Sequence, residues 1–302
     1  MPPETGGVLF VHAHPDDECV GTGGTIARLV AEGVRVDLVT CTDGAEGEVH
    51  DPTLDPEEAR PRLAAIRAAE LACSLGALGG GAIHHHLLGY RDSGMMGTDA
   101  NAHPDAFWQA DLEAATRRLI EIVRESRPAA IVTYDENGNY GHPDHINAAR
   151  IAREAYTALA GGPHRVDRFY EIAWARESWG GLIAEMTERG IPFPWGGDEG
   201  EAAAAGEASE AAESEEDEFG RPDAEVTTRV DVSAFVEPKR RSMECHRTQR
   251  QDMGWILELP PDLGAMVLGT ETYVLRWLGG EDVPSTHREE WLLVSEPRTI
   301  TS

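Results

Sequence analysis

Val8-Leu9-Phe10-Val11-His12-Ala13-His14-Pro15-Asp16-Asp17-Glu18 is the stretch whose reading decides the fold of this chain. It opens as a short apolar strand and ends abruptly in two imidazoles and three carboxylates. Carboxylates are almost never buried unless they are paired or bound to metal, so packing alone does not account for the cluster. In an open α/β sheet, ligands bind beyond the carboxyl ends of the strands, which is where this cluster falls. The stretch reads as a site before it reads as structure.

Outward from it, the first half alternates strand-like and helix-like segments. After the strand over 8–12, a helix is expected over 22–32, stopped by Gly33, and a valine-rich strand over 34–40. Residues 43–55 read as a polar loop, 56–75 as one helix ending at Gly76, 83–88 as a strand and 89–104 as a loop. A long helix over 105–126, a strand over 129–134, a helix over 143–159 and a strand over 168–173 follow. Such alternation implies right-handed crossovers and a parallel sheet. The fold class is therefore α/β: a Rossmann-like three-layer sandwich with a mostly parallel sheet. Residues 1–165 are expected to form the Rossmann-like core that carries the site, and 166–302 a smaller C-terminal α+β part that completes the fold and the pocket. An acidic low-complexity loop at about 196–222 interrupts that part; lacking apolar residues to bury, it is expected to be disordered. Order is expected to resume near Val226, with a helix around 238–248 and a strand over 272–278.

Composition narrows the function. A net charge of −28 argues against binding a nucleic-acid backbone or an anionic membrane. Lys239 is the only lysine, an arginine bias that fits a GC-rich coding background. No apolar run approaches the roughly 18–20 residues that span a bilayer, and the N-terminus lacks the features of a signal sequence. Cys19, Cys41, Cys73 and Cys245 are scattered, which suggests neither a disulfide framework nor a cysteine zinc site. A cytoplasmic, reduced protein is the expectation; the sequence gives no handle on oligomeric state.

A second constellation, Tyr140-Gly141-His142-Pro143-Asp144-His145, follows the strand over 129–134. Two strand ends on one sheet edge can converge, particularly where strand order switches. The combined pool is His14, Asp16, Asp17, His142, Asp144 and His145. A catalytic zinc uses three protein ligands and keeps one position open, and a histidine–carboxylate set also suits iron(II) or manganese. Of the adjacent pair Asp16 and Asp17, one is expected to ligate while the other faces the activated water, as a metallohydrolase requires. His84-His85-His86 looks metal-like, but strand alternation sends neighbours to opposite faces.

These motifs resemble the PIG-L/LmbE-like zinc deacetylases, whose signatures are an A-H-P-D-D-E run after the first strand and an H-P-D-H run after a later one. Here they are residues 13–18 and 142–145. The resemblance extends to 40–48, 66–70, 91–95 and 133–138, with a weaker echo in Cys245-His246-Arg247-Thr248-Gln249. It implies His14, Asp17 and His145 as metal ligands and Asp16 as general base. It further implies that His142 and Tyr140 stabilise the oxyanion and that Asp144 orients His142. Glu48, Arg67 and Asp92 would hold sugar hydroxyls, and Met95 would pack on the acyl group or sugar. His246 is not assigned to the metal.

Within the family, the soluble members of mycothiol-producing actinobacteria look closest. The resemblance implies a zinc enzyme, with iron(II) as the other candidate, that removes acetate from an N-acetylglucosamine-type glycoside such as GlcNAc-inositol. Mycothiol S-conjugate amidase and an antibiotic- or sugar-tailoring deacetylase are alternatives. Gly21 stands where either mycothiol branch tends to carry a polar or basic side chain. A metal- or sugar-binding protein without activity is the competing class, disfavoured because Asp16 stands beside a complete ligand set. The expected partner is a small amino-sugar substrate.

Overall fold

The computed structural model describes residues 6–193 and 220–293. Its strands are β1 (Val8–His12), β2 (Val36–Thr42), β3 (Ile83–Tyr90), β4 (Ala130–Thr133), β5 (Arg168–Ile172), β6 (Thr228–Asp231), β7 (Thr270–Leu278) and the short β8 (Glu281–Asp282). They form one sheet in the order β3-β2-β1-β4-β5-β7-β6, with β8 paired to β7. β1 to β5 are parallel, whereas β7 runs antiparallel to both β5 and β6. The strands contributed by residues beyond 165 thus extend the same sheet.

The helices are α1 (Asp17–Val20), α2 (Gly23–Ala31), α3 (Pro56–Ala59), α4 (Leu63–Leu78), α5 (Leu112–Ser126), α6 (Gly138–Gly141) and α7 (Pro143–Leu159). After them come α8 (Arg176–Glu188), α9 (Val236–Cys245), α10 (Arg250–Glu258) and α11 (Pro261–Leu268). The chain steps outward from β1 through β2 to β3, then returns to place β4 on the other flank of β1. With right-handed crossovers, that reversal puts α2 and α4 on one face and α5 and α7 on the other. α9 joins the first layer, packing on α2 and α4, while α5 packs on α7. The order of strands switches between β1 and β4, and both histidine-rich motifs follow those two strands. Val8, Leu9, Phe10 and Val11 are wholly buried in the main core with Ile131, Val132, Leu119 and Ala152.

Local chemistry accounts for the departures from expectation. The helix expected over 56–75 is broken into α3, a 3-10 turn at Arg60–Arg62 and α4, because Pro61 has no N–H to donate. The long helix expected from residue 105 begins only at Leu112, where the Asp111 carboxylate accepts from the amides of Glu113 and Ala114 and caps the first turn. Residues 107–109 form a 3-10 turn instead. The helices α8, α10 and α11 had no counterpart in the sequence reading. The acidic run lies outside the described residues up to 219; Arg221, at its expected end, pairs with Ala175 in a short bridge. No helix among the described residues is long and apolar enough to cross a membrane.

The cysteine expectation is corrected. Cys73 on α4 and Cys245 at the end of α9 form a disulfide, with their Cα atoms 5.7 Å apart. Their separation of 172 residues hid the pair, since only the packing of α9 on α4 brings them together. In a chain-entropy account, closing a loop of this length stabilises the native state by up to about 5 kcal/mol. Replacing both residues (Cys73→Ser, Cys245→Ser) should therefore lower Tm by several degrees relative to the oxidised protein in scanning calorimetry. An unchanged Tm would show that helix packing alone holds α4 to α9.

Candidate metal and catalytic site

The strand ends fix the first half of the site. Thr42 donates its amide to the carbonyl of Ala13, and the Ala13 amide donates to the Tyr134 hydroxyl, so the chain leaving β1 is held from β2 and from the end of β4. It then turns sharply: Asp16 adopts φ 130° and ψ −28°, a left-handed conformation that non-glycine residues rarely occupy. Arg67, buried on α4, holds this turn by donating to the Pro15 carbonyl and, at 2.8 Å, to Asp16 Oδ2.

The second half is organised by Asp135, whose Oδ1 accepts from the amides of Asn137 and Asn139. Asn139 also has positive φ. His142 caps α7, its Nδ1 accepting from the Asp144 amide, and Pro143 opens the helix where no N–H is needed. Asp144 and His145 then project from the first turn.

These loops bring donor atoms of three residues together. His14 Nδ1 lies 3.3 Å from His145 Nε2 and 3.5 Å from Asp17 Oδ2, while His145 Nε2 lies 3.3 Å from Asp17 Oδ1. Such spacings match the edges of a tetrahedron around an ion bonded at roughly 2.0–2.1 Å. His14 Nε2 contacts Asp144 Oδ2 at 3.2 Å and approaches Asp92 Oδ1 at 3.6 Å, which holds its proton on Nε2 and turns the Nδ1 lone pair toward His145. His145 Nδ1 is buried without a hydrogen-bond partner among the described residues. The spacing of His14 Nδ1, His145 Nε2 and the Asp17 carboxylate fits a divalent cation.

The electrostatics agree. Burial alone would depress His14, yet Asp92 and hydrogen bonds to Asp144, Asp17 and Asp92 hold its pKa well above the usual value. The surrounding carboxylates thus favour positive charge at this point. His142 is pushed down to about 2 by burial and by His14 and His145, so its ring is neutral. With Nδ1 accepting, it carries its proton on Nε2. Burial raises Asp16 to about 7 against the opposing pull of Arg67, with Asp17 adding to the rise. A carboxylate poised near neutrality is suited to proton transfer.

The other expected residues are distributed as follows. Tyr140 is exposed at the mouth, its hydroxyl 3.4 Å from His145 Nε2. Asp144 does not direct its carboxylate at His142: it accepts from the amide and hydroxyl of Ser93 and contacts His14, which makes it a support for His14. Arg67 is likewise committed to Asp16, Pro15 and Gly44, and its burial leaves it turned toward the protein. Asp92 is buried behind His14 and accepts from the amides of Glu46 and Gly94. Glu48 and Met95 are exposed, and Glu48 pairs with His50. His85 and His86 bond Thr40 and Asp37, away from the cluster.

Sequence reading missed Tyr134 and Ser93. Tyr134 stacks on His145, ring centroids 4.1 Å apart, while its hydroxyl accepts from Ala13 and interacts with Asp17. It thereby touches two of the three donors. Its position at the end of β4, in register with the first motif, was the available signal.

Residues 9–156 match the family described as PIG-L: GlcNAc-PI de-N-acetylase. A 1D-myo-inositol 2-acetamido-2-deoxy-alpha-D-glucopyranoside deacetylase from Thermobispora bispora is 41% identical over 281 residues, covering 89% of this chain and 87% of its own length. The chain belongs to the PIG-L family. Two solved structures share the fold: N,N'-diacetylchitobiose deacetylase from Pyrococcus horikoshii (TM-score 0.54, 20% identity, 91% of this chain and 85% of that one) and 4-carboxy-2-hydroxymuconate hydratase from Pseudomonas putida KT2440 (0.56, 17%, 89% and 94%).

Metal analysis tests the triangle directly. The protein should hold one zinc ion per chain in equilibrium dialysis, and His145→Ala or Asp17→Ala should weaken that affinity by about 100-fold or more. Undiminished affinity in both variants would place the ion elsewhere.

Proposed function

We propose that this chain is a zinc-dependent amide hydrolase that removes the acetyl group from an N-acetylglucosamine-type glycoside of the GlcNAc-inositol kind. The observation that carries this reading is Asp16, a carboxylate held through Oδ2 by Arg67 beside the His14–Asp17–His145 triangle. The substrate class rests on the name of the Thermobispora bispora relative.

A divalent ion bound at the triangle supplies Lewis acidity, lowering the pKa of water and polarising the acyl oxygen. Asp16 Oδ1, which accepts no hydrogen bond among the described residues, takes the proton as the water oxygen bonds to the acyl carbon. His142, neutral and protonated on Nε2, donates to the developing oxyanion, and the Tyr140 hydroxyl serves the same oxygen from the mouth. Asp16 then returns the proton to the amide nitrogen as the C–N bond breaks, releasing acetate and the free amine. Asp144 and Asp92 keep His14 in the ligating tautomer. Glu48 and Met95, exposed near the opening, are assigned to contacts with the sugar.

Asp16→Ala should keep its zinc yet lose about 10²- to 10⁴-fold in kcat, measured as amine release from a panel of N-acetylglucosaminides and mycothiol conjugates. Turnover near wild type in that variant would remove Asp16 from the base role. Failure of the wild-type protein to turn over any panel member would overturn the reading as a whole.

A further inference from the structure

The residues at Cys245-His246-Arg247-Thr248-Gln249 take no part in the chemistry above, yet they close on the first motif. His246 and Glu18 are both fully buried, and His246 Nε2 lies 2.6 Å from Glu18 Oε1. The same oxygen accepts from the hydroxyl of Ser74, which in turn lies 2.6 Å from the hydroxyl of Ser242. The other oxygen, Glu18 Oε2, accepts from the backbone amide of Asp16 at 2.9 Å. The Cys19 thiol donates to the Asp16 carbonyl, so the peptide groups on both sides of that residue are held.

Asp16 is where such holding matters, because its φ of 130° is unfavourable for a side-chain-bearing residue and persists only when the surroundings enforce it. Arg67 and Ser74 lie two helical turns apart on one face of α4, so the helix that grips the Asp16 carboxylate also braces the Glu18 carboxylate. Glu70, between them on that face, accepts from the amide and hydroxyl of Thr248 and anchors the 245–249 segment. Gln249 completes the contact by donating to the Glu48 carbonyl.

Glu18, Cys19 and His246 also form a cluster of metal-ligating types. The 2.6 Å separation of His246 and Glu18 is shorter than the roughly 3.3 Å edge expected between two ligands of a tetrahedral ion with 2.0–2.1 Å bonds. It is the length of a charge-assisted hydrogen bond.

We infer that Glu18 and His246 are positioning residues: His246 fixes the Glu18 carboxylate, and Glu18 holds the Asp16 backbone in the left-handed conformation that aims its side chain at the reacting water. The inference rests on the reading of Asp16 as the base. It gives the buried histidine of the C-terminal part a place in the reaction without contact to substrate or metal.

The test uses the full-length, zinc-loaded protein and compares His246→Leu with His246→Gln, whose amide nitrogen can replace Nε2 as donor. Leucine should lower kcat by about 10- to 100-fold, with KM and zinc content unchanged. Glutamine should recover most of that loss. Added to Asp16→Ala, the leucine change should cost nothing further, since it acts through Asp16. A crystal structure of the leucine variant should show Asp16 relaxed out of positive φ. Wild-type kcat in His246→Leu, equal damage by leucine and glutamine, or loss of zinc in step with activity would each overturn the inference. Should the leucine variant fail to fold, Ser74→Ala removes one bond to Glu18 and should still lower kcat at constant KM; an unchanged kcat there would count against the proposal. Full activity in Asp16→Ala alone would instead refute the base assignment, which separates the two failures.

Discussion

Charge held out of water is the constraint on which the rest of this structure depends. His14, His142 and His145 share the space between the ends of β1 and β4 with Asp16, Asp17, Asp92 and Asp144. Carboxylates in such surroundings are tolerated only where donors or cations meet them. Each one here has an assigned counterpart: Arg67 for Asp16, His14 and His145 for Asp17, the Glu46 and Gly94 amides for Asp92, and Ser93 with His14 for Asp144. What the protein does not supply is a full positive charge at the point where His14, His145 and Asp17 converge. The elevated pKa of His14, held up against burial by Asp92 and by hydrogen bonds to Asp144 and Asp17, shows that the surrounding carboxylates favour positive charge there.

The same site concentrates backbone strain. Three non-glycine residues have positive φ among the described residues, and two of them, Asp16 and Asn139, lie in the loops that carry the site. Both are secured from a distance. Asp16 is held from α4 and, through Glu18, from the end of α9; the Asn139 loop is held by Asp135, itself reached by Arg221, which also meets the buried Glu171 on β5. The C-terminal part thus contributes order to the loops more than chemistry to the cluster. That division explains why residues beyond 220 carry few recognisable motifs while closing around those that do.

Legibility in the sequence followed the range of the forces involved. β1 and α7 were readable because an apolar run and a proline-opened helix are local signals, and the two histidine-rich motifs that converge were readable from their chemistry and from a family resemblance. The start of α5 was missed because a single capping carboxylate, Asp111, outweighs the helical pattern upstream of it. The Cys73–Cys245 pair, the commitment of Arg67 to the Asp16 turn and the direction of the Asp144 carboxylate all depend on contacts between distant segments, which no window of sequence contains. Arg67 and Asp144 share a feature: each makes its contacts to the turn and to the histidine beside it, across segments far apart in sequence.

The fold by itself does not choose the reaction. A deacetylase and a hydratase both align with most of this chain at TM-scores above 0.5, although their sequence identities are 20% and 17%. Hydrolysis of an amide and hydration of a double bond begin with the same requirement, a water molecule made nucleophilic and held at a fixed point. A sheet whose strand order switches between two motif-bearing strands offers a ligand-binding crevice there, and the fold alone does not name the ligand. What separates one reaction from another lies in the side chains placed at and around that point, of which Tyr140, Glu48 and Met95 are exposed. A Cβ at Gly21 would lie 3.1 Å from Ile172, so the backbone there packs closely against the end of β5. In this chain the two histidine-rich motifs follow strand ends, whereas residues beyond 220 brace the loops that carry them.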